Sequence, residues 1–370
     1  MGIGRFAFTP QLPVMQADLG LSLEAGGWLA SANYLGYLFG ALLAGRGFFS
    51  ARRLMLFGLW TVVLSTAAMA WNAPLEWWLL MRFMAGFASA WGLVGTATLV
   101  LARLAASPER PLDGIMFAGV GAGIALTGLI CLGGLVIGAT ASTLWLALAA
   151  VALAGTIVAL RGTQSGVTPA VKTTSTTSQT PRGRIAKNMY GMIFCYSLFG
   201  FGYILPATYL PSQARVLLDD PLLFGWVWPL FGLAAALSTL IGRFMVRWPR
   251  IYTWAAAQLV MATGLIVPVL SPGLSGLAIA AVCVGGTFML ITSLGFQEAR
   301  ERAGAHAQVY LAAMTAAFAA GQLAGPLAAN ALLMLGLNLD AGLWLGAAAL
   351  LVSSVWLVAA QRTPRVSRSQ

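Results

Sequence analysis

Residues 168–184 read TPAVKTTSTTSQTPRGR, a run rich in Thr, Ser and Pro that lacks apolar periodicity. The surrounding stretch, 161–187, reads as a flexible linker on composition. Before it, apolar runs broken by polar or Gly/Pro clusters fall near 1–17, 25–46, 54–72, 76–102, 112–138 and 142–160. After it they fall near 188–211, 222–245, 251–270, 274–297, 307–334 and 341–360. Most are long enough to cross a hydrocarbon core of about 30 Å as helices. The reading is an all-α membrane protein of two six-helix bundles, 1–160 and 188–361. A cytoplasmic linker (161–187) joins them, and a basic cytoplasmic tail (362–370) follows.

Composition leads to the same class. Of 370 residues, 59% are hydrophobic and 8% charged, whereas a soluble protein needs about 25% charged residues to wet its surface. Twelve spans leave no stretch long enough for a soluble catalytic domain. The net charge of +11 is explained by basic loops that orient a polytopic chain, so no nucleic-acid partner is expected. Cys131, Cys195 and Cys283 sit in apolar runs and read as small buried hydrophobes. No basic n-region precedes a short apolar run, so no cleavable signal peptide is expected.

Taking alternate loops as cytoplasmic puts 18 of the 21 Lys and Arg residues on one side. The opposite loops hold Arg215 among Asp18, Glu24, Glu76, Asp219, Asp220 and Asp340. This is a positive-inside pattern, with both termini in the cytoplasm and the protein in a bacterial-style inner membrane.

The halves repeat. A shift of 198 places Gly2, Gly4, Leu12 and Pro13 on Gly200, Gly202, Leu210 and Pro211. It also places Gly27 and Trp28 on Gly225 and Trp226, and Met116 and Gly123 on Met314 and Gly321. Two related six-helix halves are an architecture of secondary transporters. Twelve residues, Asn188 to Phe199, precede Gly200, but only Met1 precedes Gly2. The expectation is a first helix shortened by about ten residues, its visible part being roughly 22 Å long.

GIGRF at 2–6, Pro10 and Pro13, LASANYLGYLFG at 29–40 and GQLAGP at 321–326 resemble the major facilitator superfamily, and within it the YbfB/YjiJ branch. The resemblance implies a carrier whose halves rock about a central site, and it says little about substrate. The superfamily loop Gly-x-x-x-Asp-Arg-x-Gly-Arg-Arg keeps its closing pair as Arg52 and Arg53, read as gating residues. Its Asp position holds Phe48 and its first Gly holds Ala44; GRFMVRWPR at 242–250 also lacks an acid. The usual charged latch on the cytoplasmic side is therefore in question. The family's Arg-x-x-x-Gly of helix four is kept as Arg82 and Gly86.

No Asp or Glu lies deep within a span, so no intramembrane carboxylate relay is visible. That favours exchange or facilitated transport over direct proton coupling. Arg5 and Arg82 are the ionisable residues inside spans. Each either binds an anionic substrate or bonds the polar groups of neighbouring helices. Asn33, Gly36, Tyr37 and Gly40 share a helix face, with Asn33 and Tyr37 able to reach a cavity. Gln322 is the polar candidate among Phe318, Gly321 and Gly325. Tyr203 and Trp226 are candidate aromatic cavity walls. Pro10, Pro13, Pro206 and Pro211 read as kinks, and Gly36, Gly40, Gly86, Gly321, Gly325 and Pro326 as packing positions.

A single His rules out a His-based metal cluster, and neither lysine follows a glycine as a P-loop requires. No enzyme activity, metal or cofactor is expected. The reading is a monomeric carrier of a small organic solute, with an organic anion preferred. The alternatives are a drug-like amphiphile efflux carrier, a membrane receptor or scaffold, and an inactive truncated carrier.

Overall fold

The computed structural model describes residues 1–105, 113–164, 189–217, 221–241 and 248–362. Within them the chain forms α1 (Gly2–Phe6), α2 (Phe8–Leu19), α3 (Leu23–Ala44), α4 (Ala51–Ala68), α5 (Leu75–Ala105), α6 (Asp113–Val136) and α7 (Ala141–Gln164). There follow α8 (Tyr190–Leu217), α9 (Pro221–Ile241), α10 (Arg250–Leu270), α11 (Leu274–Ala303), α12 (Ala307–Met334) and α13 (Leu339–Arg362). No strand occurs among the described residues. The linker from 165 to 188 and the tail from 363 lie outside them.

Helix ends follow local chemistry. Ser22 Oγ accepts from Ala25 N–H at 3.1 Å, and Ser50 Oγ from Arg53 N–H at 3.4 Å, each occupying an orphan donor of a first turn. At the end of α2, Gly20 takes a left-handed conformation with φ 66°, which costs a residue without Cβ little. Several helices outrun their apolar sequence. The α11 helix continues through Glu298, Arg300, Glu301 and Arg302 to Ala303, because hydrogen bonding carries a helix past the apolar core that hydropathy marks.

Among the described residues, eight helices are long and apolar enough to cross a membrane: α5, α6, α7, α8, α10, α11, α12 and α13. Gly225–Leu240 within α9 is a shorter apolar helix. This differs from the twelve apolar runs read in sequence. In α3, Glu24, Ser31, Asn33, Tyr34 and Tyr37 dilute the apolar content, and α4 opens with Arg52 and Arg53. The first run is split into α1 and α2 at Ala7.

The helices pack as α3 on α5, α4 on α5, α10 on α11 and α8 on α12, with α6 on α9 and α3 on α12 joining residues before 165 to residues after 188. Glycines allow backbone to meet backbone. A Cβ on Gly36 would strike the Phe83 carbonyl, and one on Gly86 the Asn33 carbonyl. Gly40 lies likewise against the Phe87 backbone and Gly321 against that of Ser197, while Gly325 makes room for the Ile204 side chain. The outer face is apolar: Trp71, Ile137, Leu327 and Met334 are all exposed. Apolar surface on this scale suits a multi-pass membrane protein. Cys131 and Cys195 are buried, Cys283 half-buried, and all three are free thiols.

Candidate functional site

The first helix is interrupted at Ala7, one turn before Pro10. Proline lacks an N–H and its ring crowds the carbonyl four residues earlier, here that of Phe6, and the two carbonyls just before it take donors from another helix. Arg82 of α5 supplies them, donating from Nη1 to the Gly4 carbonyl at 3.2 Å and from Nη2 to the Arg5 carbonyl at 3.3 Å. Its guanidinium lies 4.7 Å from the Phe8 ring centroid. Asn33 of α3 donates to the Arg82 carbonyl at 2.9 Å and to the Gly4 carbonyl at 3.4 Å. Asn33 and Arg82 thus tie α1, α3 and α5 together.

Arg5 is engaged differently. It is 4% exposed, and its guanidinium carbon lies 3.8 Å from the Tyr37 ring centroid, a close cation–π contact. Nη2 donates to Gln322 Oε1 of α12 at 2.5 Å, a bond between residues from the two ends of the chain. Among the described residues, Nε and Nη1 have no hydrogen-bond partner, nor does Nε2 of the fully buried Gln322. Neither Arg5 nor Arg82 has an ion-pair partner among the described residues. Arginine stays protonated in proteins, so two buried positive charges sit together without a carboxylate.

Tyr203 of α8 is 1% exposed with Oη unpartnered, and it stacks on Phe288 of α11 with ring centroids 4.1 Å apart. Phe288 in turn meets Phe6 edge-on at 5.6 Å. Arg5, Tyr37, Gln322 and Tyr203 are therefore brought to one interior region. Trp226 is not: it is 56% exposed, as its repeat partner Trp28 is at 59%. Trp228, two residues on, is the inward indole, stacked on Phe231 at 5.2 Å. Sequence reading passed over Trp228 and Phe288. The Trp228–Phe231 spacing, i to i+3 on one face, was the signal for the first.

Pro10 follows the interruption at Ala7, and Pro13 lies inside α2. Pro206 lies within α8, which runs on without interruption, and Pro326 lies inside α12. Pro211 falls in the range of α8, and its side chain is outside those described.

At the end marked by Arg52 and Arg53, both arginines are exposed and form no ion pair among the described residues. The crossing there is neutral. Gln308, at the start of α12, donates from Nε2 to the Ala44 carbonyl at 3.1 Å and the Phe49 carbonyl at 3.0 Å. Ala312, one turn on, packs with Ala44, Leu54 and Val94. Nothing in the local sequence marked Gln308. The corresponding turn near 250 is charged instead: Arg250 pairs with Glu298 at 3.6 Å and with Glu301, both at the end of α11.

Two cavities flank the region. One of about 170 Å³ lies beside the start of α1, lined by Gly58, Ser89, Gly92, Gly119, Gly123 and Thr156 among others. The other, a narrow apolar crevice, is lined by Pro10, Pro13, Cys131, Leu132, Gly225 and Trp228 among others. No group of three or more His, Cys, Asp or Glu that could hold a metal occurs among the described residues.

The family model described as "Uncharacterised MFS-type transporter YbfB" matches residues 1–358. No curated protein matches the chain. Among solved structures, a variant of the E. coli fucose:proton symporter FucP is similar, with TM-score 0.68 and 13% identity over 98% of this chain and 96% of that one. At that identity the likeness is one of fold.

Proposed function

The chain belongs to the MFS-type transporter family of YbfB, and from that premise we propose that it moves a small organic anion across the membrane by alternating access. Arg5 is the anion-binding residue. The observation that carries this reading is a buried guanidinium with two unpartnered nitrogens, bonded to Gln322 and facing no carboxylate. An arginine held at membrane depth costs about 2.5–3.5 kcal/mol on insertion scales. A charge-assisted hydrogen bond returns about 1.5–3 kcal/mol, so a bidentate anion offsets that cost where one neutral amide does not. Arg82, spent on the Gly4 and Arg5 carbonyls, positions Arg5.

The carrier has twelve spans in two related halves, 1–160 and 188–361, with α1 and α2 together forming the first. Support comes from the repeat: shifting α7 (Ala141–Gln164) by 198 gives 339–362, the bounds of α13 (Leu339–Arg362). The Arg5–Gln322 bond links the halves, and an anion that displaces Gln322 Oε1 breaks it as it binds. The basic end faces the cytoplasm of a bacterial-type inner membrane, and the working unit is a monomer. With no carboxylate in the buried set, exchange or facilitated transport is favoured over direct proton coupling.

Thermal unfolding of the purified chain against small organic anions, cations and neutral solutes tests this, because a ligand of the folded state raises the midpoint by mass action. Stabilisation by anions, absent in Arg5→Gln and followed by uptake into proteoliposomes, is the expected result. Stabilisation by cations or neutral amphiphiles alone overturns it in favour of amphiphile efflux, a reading that the apolar crevice at Pro10, Leu132 and Trp228 would then serve. Binding without flux would instead indicate a receptor.

A further inference from the structure

Phe199 and Tyr203 of α8, Phe231 of α9, Phe288 of α11 and Phe318 of α12 form a ring cluster, none more than 4% exposed. Tyr203 and Phe288 are parallel to within 10° at 4.1 Å, and Phe199 meets Phe318 at 5.0 Å. The cluster adjoins Arg5 on two sides. Phe6, the residue after Arg5, meets Phe288 edge-on. Gln322, the hydrogen-bond partner of Arg5, lies one turn beyond Phe318 on the same helix face.

A ring cluster alone is ordinary packing, and Tyr196, which touches Phe199 and Phe318, adds to it. Tyr203 differs. It is 1% exposed and its hydroxyl has no partner among the described residues, whereas a buried tyrosine normally carries that group to one. Trp228, stacked on Phe231 and 7% exposed, likewise has an unpartnered Nε1. The region combines a cation at one edge, ring faces and edges beside it, and unpaired donors on Arg5, Gln322, Tyr203 and Trp228. An ionised carboxylate accepts only, and a planar ring satisfies the offset and edge-on contacts that aromatic faces prefer.

We infer that the anion taken at Arg5 is an aromatic carboxylate, its carboxylate on Arg5 and its ring against Phe288, Tyr203 and Phe318. This rests on the anion reading of the preceding section. Matched probes separate the two: benzoate, cyclohexanecarboxylate (same charge and similar size, no aromatic ring) and benzyl alcohol (same ring, no charge), each titrated against the thermal midpoint of the full chain in detergent. Benzoate is expected to act at roughly three- to tenfold lower concentration than cyclohexanecarboxylate, with benzyl alcohol weakest. Equal action by the two carboxylates overturns the aromatic inference and leaves the anion reading standing. Benzyl alcohol acting alone overturns both, and no response to any of the three overturns the inference. Tyr203→Phe keeps the ring and should fold. It is expected to lower the responses to benzoate and cyclohexanecarboxylate alike, since both present a carboxylate to that hydroxyl; unchanged responses remove the Tyr203 hydroxyl from the site.

Discussion

Arg5 and Gln322 stand 317 positions apart in the chain, and the Nη2 of the first donates to the Oε1 of the second in the buried interior. The bond is made by an amide where a carboxylate would have neutralised the charge. That choice leaves Arg5 bonded but its charge uncompensated among the described residues, as the proposed anion site requires. Gln322→Glu should therefore supply the missing counter-charge from within. The expected outcome is a thermal midpoint at least as high as that of the parent chain and at least about tenfold weaker response to anions, since each 1.4 kcal/mol of competition is tenfold. An undiminished anion response would show that substrate does not compete with residue 322.

The two arginines should separate under mutation to lysine. Arg82 makes two directed bonds to the backbone of α1, and an ammonium cannot reproduce that fork. Arg82→Lys is expected to destabilise the protein by about 1–3 kcal/mol, the cost of leaving buried carbonyls unpaired. Arg5→Lys keeps the charge and should cost less stability while weakening the anion response. Thermal unfolding with and without benzoate reads both effects in one experiment.

Gln308 holds the Ala44 and Phe49 carbonyls through a neutral carboxamide. Gln308→Ala removes both bonds, worth about 1–3 kcal/mol together, and should favour opening at the basic end. Labelling of a cysteine placed at Ala312, which is 1% exposed, by a membrane-impermeant maleimide is expected to quicken roughly tenfold. Because the lost contact is uncharged, that factor should be similar at low and high salt. No change in labelling would show that other contacts hold this end closed.

Gly36 and Gly86 let α3 and α5 touch backbone to backbone. Gly86→Ala sets a Cβ against the Asn33 carbonyl, and should lower stability by about 1–3 kcal/mol as overpacking does. Gly27 lies inside α3 with nothing within 4 Å of a Cβ, so Gly27→Ala serves as the control and should hold or slightly raise the thermal midpoint.

The class of this protein was legible in single residues and short windows. Runs of apolar residues mark spans because the bilayer sets one length for all of them, and the observed helices start within a few residues of those runs. The interior was less legible. Trp226 and Trp228 are adjacent in type and spacing, yet the first is exposed and the second buried. In a soluble helix the polar face would have told them apart. A helix flanked by lipid on one side and apolar core on the other is hydrophobic all round, so periodicity carries no direction.

By itself the sequence determined that the chain lives in a membrane, near which residues its helices begin, and which family it belongs to. These follow from local hydropathy, caps and motifs. Only the tertiary structure decided which arginine is spent on backbone and which keeps unpaired donors. It alone brought Gln322 to Arg5 and Gln308 to Ala44, and set unpaired donors of Tyr203 and Trp228 among buried rings. Those are contacts between residues far apart in the chain, made by packing that no local pattern encodes.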